Sequence, residues 1–328
     1  MIHAYSLYDR WLVTDITGYL KTIEWSGDLS QCARKIEVTL AYSIFDKNQP
    51  HVQIGPGTLI WLVDDEIGEF FRGIVFDREL NSSEEVTFTA YDYLIYFLKS
   101  KGTYNFQNML PEDIAAKVCF DAGVETGNIE KTGVNVSFLS QNDAFYNIIM
   151  KAYTKANKSS NGKLQYFPRI VGEKFEIIEK GKVVPNFELR PDLNMNSCSY
   201  SDNIEDMINR VKIYDDKNNY LGVVEDTGYI TQFGLLQDTY TVEEGKNPNA
   251  EANLMLKGAE TETTVEAIGN MNCITGFGVK TKIFYMDVLS DAVWYIDSDT
   301  HTFDVETGNH TMELVLHNNN TMDLQEEG

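Results

Sequence analysis

The chain has 328 residues, 43% hydrophobic and 12% aromatic, which is longer than one hydrophobic core usually serves and too apolar for disorder. Its 50 Asp and Glu against 27 Lys and Arg give a net charge of −23, which excludes a protein built to grip nucleic acid, since phosphate binding needs cations to displace counterions. No apolar run approaches the roughly 20 residues of a membrane span, and Met1-Ile2-His3-Ala4-Tyr5 lacks the features of a signal peptide, so cytoplasmic synthesis without membrane insertion is expected.

Residues 1–98 read as short strands. Ile36 to Leu40 and Val86 to Ala90 alternate apolar and polar, the period of half-buried antiparallel strands. Between them, Thr58 to Val63 and Phe70 to Phe76 flank the turn Asp64-Asp65-Glu66-Ile67-Gly68 and predict a hairpin. Such strands can close a first β-barrel domain.

Residues 99–190 predict a helical and hairpin insertion. Pro111 opens a helix whose Ile114, Ala115, Val118, Cys119 and Ala122 share one face, and Gly123 ends it. A second helix is expected from Ser140, with Asp143 three residues on in a capping-box-like start, and with Phe145, Ile148, Ile149, Ala152, Tyr153 and Ala156 as its buried stripe. Asn157 to Gly162 forms a loop, and Gln165 to Val171 with Lys174 to Ile178 predicts a hairpin around Gly172.

Residues 191–317 return to strands and predict a second β-barrel domain. Arg210 to Tyr214 and Tyr220 to Val224 flank the polar turn Asp215 to Asn219, and Asn247-Pro248 caps a short helix running to Leu256. Further strands are expected at Thr263 to Ile268, Lys280 to Tyr285, Ala292 to Asp297, Thr300 to Val305 and His310 to His317, then an acidic flexible tail, 318–328. The expected fold class is mainly β with a helical insertion (α+β), carrying two antiparallel β-barrel domains.

The sequence nominates no catalytic residue, cofactor or metal. It contains neither a phosphate-cradling glycine loop nor a nucleophile elbow, and Cys32, Cys119, Cys198 and Cys273 are too dispersed for a zinc or redox motif. Asp299, His301, His310 and Glu313 are the best metal candidates, but Glu313 falls on the opposite strand face from His310, so convergence is not expected. Core packing accounts for Trp11, Trp61 and Trp294, whereas Trp25, just ahead of the turn at Asp28, is a candidate partner contact. Charge is uneven: residues 151–182 hold eight Lys or Arg against three Glu, and beyond Lys282 there are ten acids and no Lys or Arg. A solvated face is one reading. The other makes Lys151, Lys155, Lys158, Lys163 and Arg169 contacts to an acidic neighbour, with the excess acid facing a channel or an outer rim.

The run Ile23 to Glu37, the pairing of Gly57 to Val63 with Phe71-Arg72-Gly73-Ile74-Val75, the strand ending Ala90-Tyr91-Asp92-Tyr93-Leu94, and Trp294 to Phe303 with His310-Thr311-Met312-Glu313-Leu314 resemble the XkdQ/YqbQ family. These are hub proteins of contractile phage tails, defective prophages and R-type bacteriocins such as diffocins. The resemblance implies a structural, non-enzymatic homotrimer whose paired barrels form a pseudo-hexameric ring. That ring joins the sixfold tail tube protein to the threefold central spike protein, with a LysM-containing baseplate protein nearby. The particle would be a phage or phage-tail-like baseplate released on lysis. A tail-associated peptidoglycan hydrolase and a glycan- or receptor-binding tip module are the alternatives.

Overall fold

Alternation becomes strand throughout the first segment. In the computed structural model, which describes residues 1–325 apart from 10, 44–51, 83, 161 and 244–246, this segment forms β1 (Ile2–Tyr8), β2 (Leu12–Asp15), β3 (Leu20–Asp28), β4 (Lys35–Ala41), β5 (Leu59–Asp64), β6 (Gly68–Leu80) and β7 (Glu85–Tyr91). His51, Asn161 and the last three residues of the expected tail lie outside the described residues. Ile36, Val38 and Leu40 of β4 stand opposite Ala90, Phe88 and Val86 of β7, so each inward side chain meets an apolar partner, and all six are at most 5% exposed. β6 and β7 approach so closely at Gly73 that a Cβ there would lie 2.2 Å from the Tyr91 carbonyl oxygen.

The insertion builds its own core from α1 (Leu94–Lys99), β8 (Lys101–Met109), α2 (Pro111–Ala122), β9 (Glu125–Ile129), β10 (Val136–Ala144), α3 (Phe145–Ser159), β11 (Tyr166–Val171) and β12 (Lys174–Glu179). α2 starts on Pro111 and stops where Gly123 turns left-handed at φ 71°, as its sequence predicts. Its Ile114, Ala115, Val118 and Cys119 are fully buried, each large side chain contributing about 1.5–3 kcal/mol over an exposed one. α3 starts five residues later than its capping-box reading. Ser140 to Ala144 stay in β10, where the Ser140 hydroxyl donates to the Asp143 carboxylate and Lys151 Nζ reaches the same oxygen at 2.8 Å. Asp143 is thus engaged by an ion pair instead of a helix N-terminus. β8 pairs with β10, while β9, β12 and β11 form a three-stranded sheet in which β9 runs parallel to β12 and lies at the edge.

The chain continues through β13 (Val183–Leu189) and β14 (Met195–Asn203), enters a separate unit, and returns in β18 (Glu260–Ile268), β19 (Gly278–Thr281), β20 (Ala292–Asp304) and β21 (Asn309–His317). Two strands differ from their sequence reading: the one expected over Lys280 to Tyr285 ends at Thr281, and the two expected within 292–305 are one long strand. The expectation of two closed barrels is also corrected. β1 to β7 and the C-terminal strands form one open sheet of thirteen strands, joined where β3 pairs with β20 from Asp28↔Ser298 to Thr22↔Asp304. Period-two alternation identifies the buried face of a strand and not its neighbour, so this junction carries no local signal.

Residues 318–325 of the expected tail are likewise corrected from free tail to strap. Met322 is 4% exposed in the insertion core, its N–H donates to Gln165 Oε1 at 2.8 Å, Asp323 accepts from Tyr146 OH at 2.8 Å, and Gln325 N–H donates to Thr154 Oγ1 at 3.0 Å. Its one buried apolar side chain and its polar contacts to α3 and Gln165 outweigh its charge.

Ser199–Thr263 forms a second compact unit. It contains β15 (Arg210–Tyr214), β16 (Tyr220–Glu225), α4 (Thr227–Phe233), β17 (Gln237–Thr241) and α5 (Pro248–Leu254), with β15 central in its sheet. The core is small: Val211, Ile213 and Ala252, with Ile208, Val224 and Met255 among those packed around them. Asn247 caps α5 through its Oδ1, as expected from Asn-Pro.

Candidate assembly surfaces

The residues nominated as partner contacts divide by burial. Trp25 is 4% exposed, with the Arg34 guanidinium 4.0 Å above its ring and Phe70 and His301 each 5.2 Å away, so it is a core side chain and presents no surface to a partner. Lys151 is corrected in the same way, being 6% exposed and paired with Asp143. Arg169 donates from Nε and Nη2 to Glu176 Oε2 at 3.0 and 2.8 Å, and Asp28 Oδ1 accepts the Ser30 backbone N–H at 2.7 Å. Lys155 is half-buried, its Nζ 6.0 Å from the Phe138 ring, while Lys158 and Lys163 are exposed. Lys174 and Lys180 face Glu125 and Asp297 at 3.8 and 2.8 Å, so at least four of the eight cations counted over 151–182 pair inside the chain.

A buried polar seam, unforeseen from sequence, lies where β3 meets β20. Arg34 donates to both oxygens of Asp299 at 2.9 and 2.6 Å across 265 residues of sequence, and Thr275 donates its N–H and hydroxyl to Asp299 Oδ1, each at 2.7 Å. Burial acts to raise the Asp299 carboxyl, but the Arg34 charge and these hydrogen bonds prevail and hold it below the usual carboxylate range. Bidentate geometry makes this the strongest polar tie between the N-terminal and C-terminal strands. The available signal was a charged residue at an inward position: Asp299 keeps the alternation of His301 and Phe303 on β20, and Arg34, just before β4, keeps that of Ile36 and Val38.

Of the metal candidates, His301 contacts both His310 and Asp299, and Glu313 lies apart. His301 Nδ1 lies 3.0 Å from His310 Nε2, and His301 Nε2 lies 3.1 Å from the Cys273 carbonyl oxygen and 3.5 Å from Asp299 Oδ2, while Glu313 is exposed. The Cys273 carbonyl can only accept, so His301 carries its hydrogen on Nε2, and His310 donates to the bare Nδ1. Burial pushes both imidazoles down, and His301 helps to push His310 to about 4. Among the described residues, no group of three or more His, Cys, Asp or Glu side chains is placed to hold a metal ion.

Large apolar side chains remain outside the cores. Trp11, in the turn before β2, is 76% exposed and Val13, on β2 at the outer edge of the thirteen-stranded sheet, 59%, which corrects the core reading of Trp11. Phe284 is 77% exposed and Phe120, on α2, 84%. Beside Phe120, a cavity of about 490 Å³ adjoins one of about 710 Å³, the two sharing Gly123, Val124 and Glu125. Tyr220, Leu221 and Val223 lie exposed on β16 of the second unit. Patches of this kind mark protein contacts more often than catalytic clefts.

Residues 23–317 match the family model described as YQBQ-like. The chain is 30% identical over 265 residues to the uncharacterized protein YqbQ of Bacillus subtilis (strain 168), covering 76% of this chain and 78% of that one. It is 28% identical over 315 residues to the phage-like element PBSX protein XkdQ of the same organism, covering 92% and 93%. Among solved structures, the prophage MuSo2 43 kDa tail protein of Shewanella oneidensis superposes with a TM-score of 0.69 at 12% identity, over 96% of this chain and 98% of that one.

Proposed function

The chain belongs to the YQBQ-like family, and on that premise we propose that it is a structural hub of a contractile tail baseplate. Copies of the chain form a trimer that closes a pseudo-hexameric ring and joins the sixfold tail tube to the threefold central spike, with a LysM-containing protein among its neighbours. Residues 1–98 and 191–317 act as its two tube-like modules, and the protein is a component of a phage or phage-tail-like particle. The observation that carries this reading is the family match over 23–317, with relatives and a similar fold drawn from a phage-like element and a prophage tail.

The physical arrangement suits a load-bearing part. Arg34 and Asp299 tie strands from both ends of the chain into one sheet, so force applied to either half passes through paired strands and a buried bidentate contact. Rings that withstand contraction need obligate interfaces of roughly 2,000–5,000 Å² or more, and Trp11, Val13 and Phe284 supply exposed apolar area for them. Lys163 is exposed and is offered to an acidic neighbour. A channel lined by the excess carboxylates would repel a DNA backbone over about one Debye length, ~8 Å in physiological salt.

The test is co-expression with the tube and spike proteins of the same particle. Isolation of one complex holding all three, together with no cell-wall lysis in a zymogram, is the expected result. Failure to retain either protein, or a lytic band, would contradict the assignment.

A further inference from the structure

We propose that the trough beside β9 is a docking site for an extended, basic peptide segment of a neighbouring protein in the particle. This rests on the adaptor reading above, since a joining protein needs ports for its neighbours. β9 is the edge of its three-stranded sheet, and among the described residues no strand pairs with its outer side. Its unused backbone groups can take an added strand, the mode in which main-chain hydrogen bonds give affinity and flanking hollows give selectivity.

The walls fit such a guest. Phe120 stands 84% exposed on a helix whose Ile114, Val118 and Cys119 are fully buried, so a side chain suited to a core faces solvent next to an open edge. The hollows of about 710 and 490 Å³ share Gly123, Val124 and Glu125 as lining, at the start of β9. A five-residue strand offers about 17 Å of edge, enough for a short segment with alternating inward and outward side chains.

Charge selects the guest. The larger hollow holds Glu69, Glu125 and Glu173 against Arg72 and Lys174. Arg72 is held by Glu69 at 2.6 Å and by Glu173 at 3.5 Å, and is 22% exposed, whereas Glu125 and Glu173 are 81% and 61% exposed. Lys174 is 57% exposed with its Nζ 3.8 Å from Glu125, so the three carboxylates exceed the two cations of the hollow by one, and that net negative charge favours Lys or Arg on the guest. A sugar fits less well. Tyr93 and Tyr96 are tilted 40° to one another, and Tyr96 packs on Phe76 at 6.2 Å, so they offer no flat stacking platform.

The experiment measures fluorescence anisotropy of a labelled peptide of alternating valine and lysine on the full chain, with alternating valine and glutamate as control and a chitin oligosaccharide as competitor. The basic peptide should bind at least about tenfold more tightly than the acidic one. Phe120→Ser and Glu125→Lys, both at exposed positions, should each weaken it about tenfold, and Thr126→Pro should abolish it by blocking the edge. Equal affinity for both peptides, insensitivity to Phe120→Ser and Glu125→Lys, or displacement by the sugar would overturn the inference. If the chain assembles with tube and spike yet ignores the basic peptide, the trough inference alone fails. If the basic peptide binds as described but assembly does not occur, the adaptor reading fails and the trough stands.

Discussion

Arg34 is 11% exposed on its side chain and Asp299 is fully enclosed, so removing either leaves a charge that water cannot reach. Asp299→Ala should cost about 3–5 kcal/mol in urea unfolding, whereas replacing both residues by apolar ones of similar volume should cost much less. The histidine pair adds a pH dependence. His310 is held near 4 when folded, against about 6.5 for a free imidazole. As pH falls from about 6.5 towards 4 the unfolded chain therefore takes up a proton that the folded chain refuses, and stability is lost across that window, by on the order of 1–2 kcal/mol after allowance for partial exposure. Asp92, pushed up to about 7 by burial, has the opposite sign, because its folded form prefers the proton. The difference between wild type and His310→Gln isolates the imidazole: the melting temperature of the variant should fall less on acidification from pH 7 to pH 4.5, and parallel curves would contradict this account. The Arg34–Asp299 tie is not legible in sequence, because its partners are brought together by strand pairing across most of the chain, whereas the two histidines are nine residues apart on the β20–β21 hairpin.

At the scale of single elements, sequence was informative wherever the signal is local. Pro111 and Gly123 bracket α2 as predicted, and Gly172 turns the hairpin of β11 and β12 at φ 61°. Gly123→Ala should cost about 1 kcal/mol by forcing a side chain into a left-handed turn, read as a lower melting temperature. Where a residue had two possible partners, the local rule failed: Asp143 could cap a helix or pair with Lys151, and it pairs. The terminal strap was missed for a related reason. Asn318 to Gly328 is polar enough to read as free, and only the site that Met322 fills on the insertion core shows otherwise. Met322→Ala should destabilise by about 2 kcal/mol, the low end for a buried Met because the strap can adjust. Hydrogen exchange in α3 should accelerate in that variant, and unchanged protection would mean that the strap contributes nothing there.

For the whole molecule, the β-rich, helical, β-rich layout was legible from composition and periodicity. The merging of the outer segments into one open sheet was not, since neighbour choice among alternating strands is settled by long-range packing. The same limit affected the surfaces. Trp25 and Lys151 were nominated by residue type and local charge, yet the fold encloses both; Trp11 and Phe120, unremarkable in sequence, are left facing solvent. Exposed apolar side chains on a chain of net charge −23 are consistent with a protein completed by its neighbours. The decisive measurement is electron-microscopic reconstruction of the intact particle with this chain located by its density. The account predicts copies arranged with threefold symmetry around the central axis, at the junction of tube and spike. Density away from that axis, or a copy number that is not a multiple of three, would contradict it.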